Sequence, residues 1–163
     1  MDERIFPCDA HINRVLGILK ILYGRKGTLD IRELIRISKL NHSAVMPLVH
    51  AAQLLGVVEV TGSRIKLTKL GYGLNARDLR AMEKVGGTLQ EFEPFKSAAV
   101  LIRETGHFSM DELEDRLNRS GIMLHSNIAE SEGQLKEELI QWAVFFGILN
   151  YNGVEKEWIK ARN

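Results

Sequence analysis

Apolar residues at the start of the chain recur at helical spacing. Ile12, Val15, Leu16, Leu19 and Leu22 share one face of a 3.6-residue period, and Gly24 and Gly27 close the run beside Arg25 and Lys26. Asp30 followed by Glu33 has the spacing of a capping box, so a second helix starts there with Ile31, Leu34, Ile35 and Leu40 inward. Asn41-His42-Ser43 reads as a turn. Ser43 is expected to cap a third helix that buries Val45, Leu48, Val49, Ala52 and Leu55, holds Pro47 near its first turn and stops at Gly56. The period then drops to two. Residues 57–60 and 65–67 predict two strands around a tight turn at 61–64, and Thr68 opens a further helix through Leu70 and Leu74. Residues 76–88 predict a helical connector with Leu79, Met82 and Val85 on one face and Gly86-Gly87 at its end. Helix, short strand, helix, helix, hairpin is the order of a winged-helix unit.

The second half repeats the first. Residues 48–62, LVHAAQLLGVVEVTG, overlie residues 139–153, LIQWAVFFGILNYNG, at a constant offset of 91. Leu48 meets Leu139, Ala52 meets Ala143, Gly56 meets Gly147 and Gly62 meets Gly153. Upstream the offset is 79: Asp30-x-x-Glu33-Leu34 overlies Ser109-x-x-Glu112-Leu113, and Gly27 overlies Gly106. The difference of 12 residues falls within 121–132, a longer connection before a third helix over 131–146. The first helix of the repeat is expected over 92–102, burying Phe92, Phe95, Ala99 and Ile102. The fold class is therefore mainly α (α+β): tandem winged-helix units of about three helices and a small β-hairpin wing each. The expected division is 1–75, a helical connector 76–88, and 89–163.

Known chemistries find no assembled site in this pattern. No G-x-x-x-x-G-K-[ST] loop is present, and Gly71-Tyr72-Gly73 lies in a helix-like stretch. Cys8-x-x-His11 is the only close Cys/His pair, and the other four histidines are scattered, so no four-ligand zinc set forms. Cys8 sits beside Asp9 in an N-terminal arm expected to be mobile, a poor setting for a thiolate. Asp111, Glu112, Glu114 and Asp115 favour a helix start over an acid–base pair. No catalytic residue, cofactor or metal site is expected. The charged N-terminus is no secretory signal, no apolar run approaches the ~18 residues of a membrane span, and a cytoplasmic location is expected.

Composition adds one feature. The chain has 22 Lys/Arg and 21 Asp/Glu, yet residues 1–88 hold 14 and 8 of them while residues 89–163 hold 8 and 13. A basic half can meet an anionic partner, or an acidic half in the same chain or a second copy. The helix that usually reads DNA in a winged-helix unit offers only His42, Ser43, His50 and Gln53. Base reading and phosphate neutralisation favour more cationic surfaces. Cations lie instead at Arg32, Arg36 and Lys39 on the second helix and at Arg64, Lys66 and Lys69 on and after the wing. These ten residues form the candidate interaction or nucleic-acid surface, with DNA the less favoured ligand.

From residue 47 onward the sequence resembles the AAA-associated C-terminal domain family. The residues that carry the resemblance are Pro47-x-x-x-Ala51-Ala52-x-Leu54-Leu55-Gly56, Ile65-x-Leu67-Thr68-x-x-Gly71, Arg77 and Arg80, Leu139-Ile140-x-Trp142-Ala143, and Phe146-Gly147-x-Leu149-x-Tyr151. In that family the region commonly ends the ATP-binding subunits of nitrate/sulfonate-type ABC transporters. The resemblance implies a regulatory or protein-interaction module rather than an enzyme. No ATP-binding domain is expected within this sequence, so such a module would act in trans or do something else. The expected partner is a transporter ATPase subunit or a second copy, as a homodimer; the alternative is a DNA-binding transcriptional regulator.

Overall fold

The structure of the chain, a computed structural model, describes residues 4–122 and 128–161, the side chains of 128–132 excepted. It divides into two compact units, one of Asp9–Val85 and one of Met1–Cys8 together with Gly86–Asn163.

In the first unit α1 (Ile12–Gly24) buries Ile12, Val15, Leu16, Ile18, Leu19 and Leu22, the face its periodicity predicts. β1 (Thr28–Asp30) leads into α2 (Ile31–Ser38), where only Leu34 is fully buried. Ile31, Ile35 and Leu40 are half-buried, a thinner apolar face than the spacing predicts. Asp30 caps α2 by accepting the Arg32 N–H, but the reciprocal half of the capping box is missing because Glu33 turns to Arg36. α3 (His42–Leu54) is capped two residues earlier than expected. Asn41 accepts the Ala44 N–H, and Ser43 donates its hydroxyl to Asn41, so Ser43 lies inside the helix. Asn in that position offers a carbonyl oxygen at the same reach, and the N-terminal residue of two adjacent capping types takes the role. Pro47 lies within α3, just after its first turn.

β2 (Val58–Thr61) and β3 (Arg64–Leu67) form the wing, with Thr61 opposite Arg64 across the two-residue turn Gly62-Ser63. β1 pairs with β3 on its other side, giving an antiparallel sheet in the order β1-β3-β2. Thr68 caps α4 (Lys69–Asn75) by accepting the Gly71 N–H. The glycine at 71 is a matter of space: a Cβ there would collide with the Val57 carbonyl oxygen. Gly71-Tyr72-Gly73 is thus a packing feature. α5 (Leu79–Leu89) runs through Gly86-Gly87 instead of ending there, and its inward face is Ala81, Val85 and Leu89. Leu79, expected inward, is 83% exposed.

The second unit repeats the order. α6 (Phe95–Thr105), β4 (His107–Phe108), α7 (Met110–Arg119), α8 (Ile128–Glu138), a π-helical segment (Leu139–Val144), β5 (Leu149–Asn152) and β6 (Glu157–Lys160) follow one another. The sheet is antiparallel in the order β4-β6-β5. This is a mainly α, winged-helix-like architecture built twice. Ser109 caps α7 from the position expected for it, through the Glu112 N–H. Gly56 and Gly147, paired by the offset of 91, both follow the third helix with positive φ, +74° and +69°, where L side chains are strained. α6 starts at Phe95, after Glu93 and Pro94, so Phe92 precedes the helix instead of opening it. The last helical stretch begins at Ile128, three residues before its expected start, and continues into the π segment; residues 123–127 of the expected long connection lie outside the described residues. The second wing turn is longer, with Asn152 opposite Glu157, and Asn152 accepts the Val154 and Glu155 N–H groups. The left-handed residue there is Lys156, not Gly153.

The N-terminal arm is packed against its unit over its described residues, not left free as expected. Phe6 is fully buried, and the Phe6 N–H donates to the Glu93 carbonyl at 2.9 Å. Phe6, Phe95, Phe108, Trp142 and Trp158 are the large buried aromatics of this unit, and Trp158 Nε1 donates to Met110 Sδ at 3.0 Å.

Candidate interaction surface

All ten residues named from the sequence are exposed. The structure sorts them into two groups and two outliers.

The first group lies on α3. At 100° per residue, His42, Gln53, His50 and Ser43 fall within about 100° of arc. Val45, Leu48, Val49, Ala51 and Ala52, all buried, occupy the rest of the circumference. The same arc contains Met46, half-buried and near the centre of the four. The sequence reading passed over Met46 because it listed polar and cationic groups alone. The resulting face is neutral apart from its two imidazoles and has a flexible thioether at its middle, a side chain that adapts to irregular apolar partners.

The second group surrounds Asp30. Its carboxylate accepts the Ser63 hydroxyl at 2.8 Å and the Arg32 N–H at 2.8 Å, with the Arg32 guanidinium 3.5 Å away. The hydrogen bond from Ser63, then that from the Arg32 backbone, holds the carboxyl below the usual aspartate range. Ile31 N–H donates to the Ser63 carbonyl at 2.7 Å, so the tip of the wing is fastened to the start of α2. Arg64 stands opposite Asp30 across the β1–β3 ladder and donates to Thr28 Oγ1 at 3.4 Å. Lys66 stands between Thr28 and Glu59 on the neighbouring strands. Paired residues of an antiparallel ladder share a face, so the outer side of this sheet sets Arg64 and Lys66 against Asp30 and Glu59. Its formal charge cancels.

On α2 the same matching recurs. Arg36 donates to Glu33 at 2.6 Å; this bond lowers the Glu33 carboxyl and raises the guanidinium. Lys39 is the left-handed residue that ends α2, with φ +59°, and Lys69 is the first residue of α4. Neither shares a hydrogen bond or ion pair with the two groups. The six cations therefore do not converge on a phosphate-sized site. Arg32 and Arg36 pair with carboxylates on and beside α2, and Arg64 and Lys66 stand opposite carboxylates in the wing, which a list of basic residues cannot show.

In the second unit His107 Nδ1 lies 3.5 Å from Glu157, and Lys136 sits over the Tyr151 ring at 4.4 Å. Among the described residues, no group of three or more His, Cys, Asp or Glu is placed to hold a metal ion. Among the same residues, no helix is long and apolar enough to cross a membrane.

A family model described as the C-terminal AAA-associated domain matches residues 33–152. No curated protein and no solved structure matches the chain.

Proposed function

The chain belongs to the C-terminal AAA-associated domain family, which spans residues 33–152, and on that premise we propose that it is a non-enzymatic, regulatory protein-interaction module. Its partner in this reading is the ATP-binding subunit of an ABC transporter of the nitrate/sulfonate type, with a second copy as the other occupant of the same face. The observation that carries the proposal is the exposed face of α3. His42, Ser43, Met46, His50 and Gln53 offer no fixed charge, and the neighbouring wing is charge-balanced. Nucleic acid binding draws most of its affinity from phosphate neutralisation, which such a surface does not supply. Interface cores are depleted of charge and enriched in Met and aromatic residues.

The experiment is a titration of the purified chain with the transporter's ATP-binding subunit, followed by light scattering. A stoichiometric complex is expected. The paired change His50→Glu and Gln53→Glu places two charges on the desolvated face and is expected to weaken the complex at least tenfold. A chain that forms neither the complex nor a dimer of its own overturns the proposal.

A further inference from the structure

The contact made by the first residues of the chain has no role in the surface above. Residues 4–8 belong to the unit formed by residues 86–163, not to the one that directly follows them. Ile5 bridges Glu93 in parallel. Phe6 N–H donates to the Glu93 carbonyl at 2.9 Å, and Glu93 N–H donates to the Arg4 carbonyl at 2.7 Å. The Phe6 ring, fully buried, meets Trp142 edge-on with centroids 4.7 Å apart, Phe95 edge-on at 5.7 Å and Phe92 at 6.3 Å.

Two features make this a receptor and an occupant. The backbone edge that receives the arm is fixed independently of it: Glu93 is buried, and its carboxylate accepts both the N–H and the hydroxyl of Ser97 at the start of α6. The pocket residues Phe92, Phe95 and Trp142 also lie within the family region, 33–152, while residues 4–8 lie outside it. Backbone pairing beside a pocket for one side chain is how strand-addition sites recognise peptides. We propose that the pocket of Phe92, Phe95 and Trp142 is a docking site for an extended segment of a partner protein carrying a large aromatic side chain, and that residues 4–8 hold it closed in cis. This deepens the interaction-module reading and rests on it. The arm is tethered, so its effective concentration at the pocket is of millimolar order. A competing segment then binds with an affinity reduced by the fraction of chains whose arm is open.

The probe is a fluorescein-labelled peptide of residues 1–10 with Cys8 replaced by Ser, added to the full chain carrying Phe6→Ala. Saturable binding to this variant is expected, with at least tenfold weaker binding to the wild-type chain. The same peptide carrying Phe6→Ala is expected not to bind. A folded variant that ignores the peptide, or equal binding by both chains, overturns the proposal. Hydrogen exchange of the wild-type chain decides the matter if the variant does not fold. The Phe6 and Glu93 amides are expected to exchange at least a hundredfold faster than the core amides of α6. Exchange of both only by global unfolding makes the arm a permanent part of the core and overturns the proposal. A wild-type chain that dimerises while Phe6→Ala stays monomeric assigns the pocket to a second copy and overturns the partner assignment. No transporter subunit is used, so failure here and failure of the transporter reading remain distinct.

Discussion

At residue 30 a single carboxylate joins three parts of the first unit: the start of α2, its own strand and the tip of the wing. Because these hydrogen bonds favour the ionised form, the folded-state pKa of Asp30 is depressed. Its stabilisation is complete above the ordinary aspartate value and is lost as pH falls through the depressed one. Asp30→Asn keeps the cap but removes the charge. The variant is expected to show a flatter loss of urea stability between pH 5 and pH 2 than the wild type. Gly71 belongs to the same scale. Gly71→Ala drives a methyl against the Val57 carbonyl, and a loss of about 3 kcal/mol is expected by urea denaturation. The cap at Asp30 was legible from spacing alone. The role of Gly71 was not, since close approach between α4 and the residue before β2 is a tertiary fact. Asn41 and Ser43 illustrate a third case: two capping residues in one turn leave the choice to the backbone.

Elements with strong periodicity were the most legible. α1, α3 and the first wing lie where their patterns place them, and the offset of 91 carries β2 onto β5 residue for residue. The misplaced elements are those whose ends depend on side chains from elsewhere. α6 begins at Phe95 with Pro94 in the cap position, where sequence rules look for Ser, Thr, Asn or Asp, and the Ser97 N–H is met instead by the buried Glu93 carboxylate one residue further back. Glu93→Ala removes both hydrogen bonds to Ser97 and is expected to cost about 2 kcal/mol and to lower the midpoint of thermal unfolding. α5 passes through Gly86-Gly87 since Gly86 packs against Phe146, a contact no local rule encodes. On the candidate surface, the polar residues of α3 were legible. The carboxylates opposite Arg64 and Lys66 required the strand register.

For the whole molecule, charge separates along the unit division. The unit of Asp9–Val85 holds 13 Lys/Arg and 6 Asp/Glu, leaving 9 and 15 to the rest of the chain. Such a field steers anionic partners over long range, while specific affinity depends on contacts at the surface. Fluorescence anisotropy with a mixed-sequence DNA duplex is therefore expected to show weak association near 50 mM salt that disappears by about 200 mM. Arg64→Glu with Lys66→Glu is expected to lower the weak association equally for all duplex sequences.

The chain path also has a consequence for synthesis. Phe6 precedes Trp142, one wall of its pocket, by 136 residues, so the arm is synthesised well before its site is complete. At about 5–20 residues per second, the interval is of order ten seconds. Residues 9–85 can fold during that interval, whereas the other unit must wait for nearly the whole chain. A nascent chain halted before residue 142 therefore carries the Phe6 side chain without its native site.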